Sequence, residues 1–221
     1  MYSFTSLEIA GYRGEPLPHT FLRQAEETRH LGVIFPGWGY TADRPVLYYP
    51  GLLLLDRGAD LLRVEYNYVR RPDYLAATEA EREEWLIADV SAALEAGLAQ
   101  RAYSEVTLVG KSIGTLAMGH LLAGQPRLEG ARALWLTPLL RNERLLEQIG
   151  RWGGRSLFVA GTADPHYDPA RLEAAVAATH GRQLRIDGAD HSLEIAGNTL
   201  QTVEAMLKVV RAVEMFLTTQ T

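Results

Sequence analysis

Three side chains in this sequence are of the types that acyl-transfer chemistry uses: a hydroxyl, an imidazole and a carboxylate. Ser112 lies between glycines in Gly110-Lys111-Ser112-Ile113-Gly114. The apolar run Val106-Thr107-Leu108-Val109 precedes this segment and Thr115-Leu116-Ala117-Met118-Gly119-His120-Leu121-Leu122 follows it, so the G-x-S-x-G pattern falls in a strand-to-helix turn. A turn that sharp strains the serine backbone, and a glycine on either side leaves room for the chain to fold back. The hydroxyl then stands above the sheet edge, facing the N–H groups that open the helix. A serine acts as a nucleophile only with a base, a group that orients the base, and donors for the oxyanion. Asp164 follows the apolar run 156–160, and His191 follows the run 183–186. Pro36-Gly37-Trp38-Gly39 follows the run 30–35 and is the candidate for the further oxyanion donors.

These positions are useful only if the strands before them end at a common edge. Hydrophobic spacing and turn residues predict strands at 3–10, 30–35, 61–66, 106–109, 131–136, 156–160 and 183–186, with 19–23 returning as a hairpin partner of the first. Helices are predicted at 45–56, from 80 onward with Leu86, Val90, Leu94 and Leu98 on one face, after Ser112 to about 124, and at 142–152. A further helix starts where Asp168 caps and Pro169 takes the first position. The last runs from 198 to 217 with Leu200, Val203, Leu207, Val210 and Val213 on one stripe. Residues 69–79 read as a loop. Strand and helix alternate from His30 onward, which implies right-handed crossovers and a mostly parallel sheet covered on both faces. The expectation is a three-layer α/β sandwich, one domain over 1–221, with ligands bound beyond the carboxyl ends of the strands.

Composition narrows the chemistry. The 221 residues carry a formal net charge of -5 and no block of basic residues, which argues against a broad nucleic-acid surface. There is no cysteine, so thiolate nucleophiles, disulfides and Cys-ligated metals are excluded. No pair among the six histidines has metal-ligand spacing. The first residues lack the layout of a signal peptide, and the apolar stretch 48–55 is too short to span a bilayer, so a cytoplasmic protein without membrane partners is expected.

Taken together, these residues resemble the α/β-hydrolase family over nearly the whole chain. Gly110-Lys111-Ser112-Ile113-Gly114 resembles its nucleophile elbow, Gly161-Thr162-Ala163-Asp164-Pro165 the loop of its acid, and Gly188-Ala189-Asp190-His191-Ser192 the loop of its histidine. Phe35-Pro36-Gly37-Trp38-Gly39 stands in the place of its oxyanion loop, with proline where histidine is usual. The chain is most similar to small dienelactone-hydrolase-like and carboxylesterase-like members, although the dienelactone hydrolases proper use a cysteine that is absent here. The resemblance implies Ser112 as nucleophile, His191 as base, Asp164 as its orienter, and the N–H groups of Trp38 and Ile113 as the oxyanion hole. It implies a small ester or thioester substrate and no cofactor. Only 137–154 is available for the cap that many members insert, so no large lid is expected.

Each residue also has a plainer reading. Ser112 would serve as a helix N-cap, Asp164 as an Asx-turn before Pro165, and His191 as a surface histidine. Tyr66 and Asn67 end a strand at the same edge and are candidates for lining the pocket, as are Lys111 and His166; Tyr66 reads equally as a side chain that only packs. Lys111 reads otherwise as a partly buried cation paired with a carboxylate, and His166 as a loop residue. The rival to an enzyme is a hydrolase-fold protein that binds a ligand or partner in the pocket without catalysis.

Overall fold

The computed structural model describes residues 1–219. The strands are β1 (Tyr2–Thr5), β2 (His19–Gln24), β3 (His30–Phe35), β4 (Asp60–Val64), β5 (Glu105–Lys111), β6 (Arg132–Leu136), β7 (Ser156–Gly161) and β8 (Arg182–Ile186). They form one sheet in the order β1-β2-β4-β3-β5-β6-β7-β8. β1 pairs antiparallel with β2 and β2 with β4, and every pairing from β4 through β8 is parallel. The central strands are buried on both faces, as in Phe35, Val109, Trp135 and Phe158, which suits their continuous apolar runs.

Helices cover both faces. α1 (Pro45–Asp56) and α7 (Thr199–Thr218) pack on one side, in a core with Ile34, Val109, Leu134 and Val159. On the other side lie α3 (Glu79–Leu98), α4 (Ile113–Gly124), α5 (Glu143–Trp152) and α6 (Pro169–Thr179), around Phe35, Leu108, Trp135 and Phe158. α3 starts with a full capping box, Thr78 with Glu81, and α6 starts as its sequence predicts, with Asp168 accepting from the Arg171 N–H. Between β6 and β7 the chain contributes one helix, α5. Among the described residues no helix is long and apolar enough to cross a membrane.

Three expectations need correction. The first strand stops at Thr5, and Ala10 keeps only an isolated bridge to Pro16. Residues 69–79 are not a plain loop: a 3-10 turn, Tyr68–Arg70, leads into α2 (Pro72–Ala76), where Pro72 at the first position sets the helical φ and Tyr74 anchors the inner side. Five residues are too few for a periodic signal. In α7 the buried face is Ala205, Val209, Val213, Phe216 and Leu217, whereas Leu200, Val203 and Leu207 are exposed. This helix is apolar on two neighbouring faces, and spacing alone does not say which one packs.

The parallel register places the site. Phe35 lies opposite Gly110, Lys111 opposite Leu136, Leu136 opposite Val159, and Gly161 opposite Ile186. The residues after these strands therefore emerge along one edge.

Candidate active site

β5 ends at Lys111 and α4 starts at Ile113, so Ser112 alone makes the turn. Its backbone adopts φ 54 and ψ -119, a conformation that a side chain populates only under constraint. The constraint is visible. The Ser112 N–H donates to Leu136 O at 3.2 Å, and its carbonyl accepts from the Thr115 N–H at 2.8 Å and the Thr115 hydroxyl at 2.6 Å. Both flanking glycines are needed for close approach. A Cβ on Gly110 would stand 2.6 Å from Gly114 O, and one on Gly114 would stand 2.1 Å from Phe35 O. The serine is left 6% exposed at the head of a helix whose first amides have no intrahelical acceptor.

The turn after β3 presses against this serine: a Cβ on Gly37 would lie 3.3 Å from Ser112 Cβ. Gly37 and Tyr40 close that turn through a pair of backbone hydrogen bonds of 3.1 and 3.3 Å. Trp38 lies within that turn, and Ile113 opens α4 directly after Ser112. The Trp38 indole is half exposed, and its ring centroid is 6.1 Å from that of Tyr74 in α2.

The acid and the histidine come from adjacent loops that are stitched together. Ala163 N–H donates to Ala189 O at 2.9 Å, Thr162 N–H to Ile186 O at 3.0 Å, and Gly188 N–H to the Thr162 hydroxyl at 2.9 Å. Asp190 organises the histidine loop by accepting from the Ser192 and Glu194 amides at 2.7 and 3.0 Å. The outcome is a 2.7 Å contact between His191 Nδ1 and Asp164 Oδ2, with the carboxylate side chain 2% exposed. The other Asp164 oxygen accepts from the His166 N–H at 2.8 Å. Burial pushes this carboxyl upward, but the hydrogen bonds from His191 and His166 outweigh it and hold it below the usual range. An ionised Asp164 takes the Nδ1 proton as a hydrogen bond, which leaves the lone pair on Nε2. Among the described residues no hydrogen bond joins Ser112 to His191. In unliganded sites that contact is often long and tightens with substrate.

Of the residues expected to line a pocket, Lys111 is a clear correction. It is 1% exposed, and its Nζ donates to His191 O at 2.9 Å and sits 4.4 Å from the Tyr40 ring centroid. Its partners are a carbonyl and a ring, not a carboxylate. Tyr66 is buried too: its hydroxyl donates to Pro36 O at 2.8 Å beneath the turn of Trp38, and its ring borders the same cavity as Asn67. Asn67 is exposed beside a separate cavity of about 150 Å³ shared with Arg71 and Asp89. His166 is exposed, with its ring edge-on to His191 at 5.1 Å. A groove of about 200 Å³ starts at Ile113 and follows α4 past Leu116 and Ala117 to His120, between Leu86 of α3 and Gln148 of α5.

Two residues were not singled out from sequence. Tyr40 closes the turn after β3, and Thr137 follows β6 at the same edge, buried, at φ 42, with no partner for its hydroxyl among the described residues. Position after a strand was the one available signal for Thr137. Among the described residues no group of three or more His, Asp or Glu side chains is arranged to hold a metal ion.

No protein-family model matches the chain, and no curated protein does. Its fold, however, recurs in solved structures. An α/β serine hydrolase homologue from Coxiella burnetii matches with a TM-score of 0.69 over 96% of this chain and 96% of its own, at 16% identity. A serine hydrolase without a lid from Xanthomonas campestris matches with 0.67 over 99% and 97%, at 17% identity. Dienelactone hydrolase from Anabaena variabilis matches with 0.69 over 98% and 97%, at 16% identity. The chain has the α/β-hydrolase fold, as its sequence resemblance implied.

Proposed function

We propose that this protein is a serine hydrolase that cleaves a small carboxylic ester or thioester through an acyl-enzyme. The observation that carries the reading is the 2.7 Å His191–Asp164 hydrogen bond at the sheet edge that also holds a serine at φ 54. His191 Nε2 takes the Ser112 proton as Oγ attacks the carbonyl carbon, while Asp164 keeps the proton on Nδ1 and stabilises the imidazolium. The tetrahedral oxyanion is received by the N–H groups of Trp38 and Ile113, each worth about 3 kcal/mol in the transition state. His191 returns the proton to the leaving group. Water, activated by the same imidazole, then releases the acid from Ser112.

The serine hydrolases among the similar folds support this class of chemistry, and their low identity leaves the substrate to be argued from the site. The one helix between β6 and β7 makes no large cap, which favours compact substrates over long lipids enclosed by a lid. The groove along α4 is the place for the acyl or alcohol part, since its lining includes Ile113, the residue that follows the nucleophile. The test is hydrolysis of short p-nitrophenyl esters and thioesters by wild type and Ser112→Ala. The reading expects activity that the substitution abolishes; equal rates in both would overturn it.

A further inference from the structure

Lys111 has no part in the bond-making steps above, yet its surroundings tie it to all of them. It is the last residue of β5 and the direct neighbour of Ser112. Its ammonium is buried on the side of the sheet where Tyr40 packs with residues of α1 and α7. There it donates to the backbone carbonyl of His191 and lies against the ring of Tyr40. Tyr40 closes the turn that carries Trp38, and its hydroxyl accepts from the Val46 N–H at 3.2 Å, at the head of α1. One side chain thus springs from the elbow and touches the histidine loop and the oxyanion turn.

Keeping a cation here is costly. Burial pushes the Lys111 amine down to about 8, with the Asp164 and Asp190 carboxylates pulling it partly back. A methionine would fill similar space without that penalty, so packing alone does not account for a lysine. What an ammonium adds is a directed donor to His191 O. The Asp164 contact fixes one ring nitrogen, but the ring also follows its own backbone, and that backbone is what Lys111 holds.

We infer that Lys111 is a positioning residue, which locks the backbone of His191 and the turn of Trp38 in register with Ser112 so that base, nucleophile and oxyanion donors meet. The inference rests on the hydrolase reading for its effect on rate, and on geometry alone for its effect on His191. Both are measured on Lys111→Met and on Lys111→Cys before and after aminoethylation. The natural chain has no cysteine, so 2-bromoethylamine applied in denaturant, followed by refolding, rebuilds an ammonium at that one thiol. The readouts are kcat and KM on a p-nitrophenyl ester, and the low-field NMR resonance of the His191 Nδ1 proton, assigned by its loss in His191→Gln.

Lys111→Met is expected to lower kcat by about 10- to 100-fold with KM within about twofold, and to shift or broaden the resonance. Aminoethylation of the cysteine variant is expected to restore both. A merely structural lysine would change stability and leave the resonance of the folded fraction in place. An unchanged kcat and resonance in Lys111→Met, or no recovery on aminoethylation, overturns the inference. If wild type hydrolyses nothing, the hydrolase reading fails by itself, and the resonance still decides whether Lys111 holds His191. If Lys111→Met does not fold, the two refolded forms of the cysteine variant make the same comparison.

Discussion

Replacing Gly114 by alanine sets two opposed effects against each other. Gly114 sits in the first turn of α4, where alanine is the better helix former by about 0.5–1 kcal/mol. The new Cβ, however, would stand 2.1 Å from Phe35 O, 2.8 Å from Phe35 C and 2.9 Å from Pro36 O. These are backbone atoms of the strand and turn beneath the elbow, so no flexible side chain can yield. Overpacking of this kind costs about 1–3 kcal/mol, and the propensity gain offsets only part of it. A net loss of about 1–2 kcal/mol follows, or roughly 2–8 °C in Tm for a chain of this size. Gly124 is the internal control, since it ends the same helix with nothing within 4 Å of an added Cβ. Gly124→Ala is expected to leave Tm unchanged or raise it slightly. Thermal and urea unfolding of both variants measures this without reference to function. Displacement of Ser112 by about an ångström should also cost Gly114→Ala about 100-fold in ester hydrolysis. A Gly114→Ala protein as stable and as active as wild type would refute the close-packing account of the elbow.

Other perturbations test separate parts of the site. Asp164→Asn presents an amide donor to His191 Nδ1 and moves the ring proton to Nε2; kcat should fall by about 10⁴, with the circular dichroism spectrum unchanged. Tyr66→Phe removes the donor to Pro36 O and should cost about 1–2 kcal/mol in urea unfolding, because that carbonyl stays buried. The depressed Lys111 amine has a signed consequence for stability. Folded protein binds fewer protons than unfolded between about 8 and the usual 10.5, so stability gained from this group appears as pH rises through that window and is lost as pH falls back through 8. Relative to Lys111→Met, wild type should gain up to about 3 kcal/mol across the window, and a pH-independent difference would contradict the burial account.

The parts of this molecule written in neighbouring residues were legible, and the parts written in distant contacts were not. The elbow could be read because two glycines, a serine, a strand and a helix are consecutive. The start of α6 could be read because Asp168 and Pro169 act on the helix they begin, and the Asp168 side chain does accept from the Arg171 N–H at 3.1 Å. The burial of Lys111 was legible but its partners were not, because Tyr40 and His191 lie far along the chain and meet it only through the sheet register. For Tyr66, at the end of a strand at the right edge, sequence leaves a pocket wall and a packed side chain equally open; its bond to Pro36 is invisible without the fold. The expected α7 stripe keeps Val213 in the buried face but not Leu200, Val203 and Leu207, for another reason. Leu200, Val203 and Leu207 keep helical spacing as well as the buried set does, and the choice between the faces belongs to α1 and the sheet.

The central claim is that Ser112 is a nucleophile activated by His191 and Asp164. Its most direct test is intact-mass spectrometry after treatment with a fluorophosphonate, followed by peptide mapping. One adduct on Ser112 is expected in wild type, none in Ser112→Ala, and sharply slowed labelling in His191→Gln. Folded wild-type protein that stays unmodified, or an adduct on any other residue, would contradict the account.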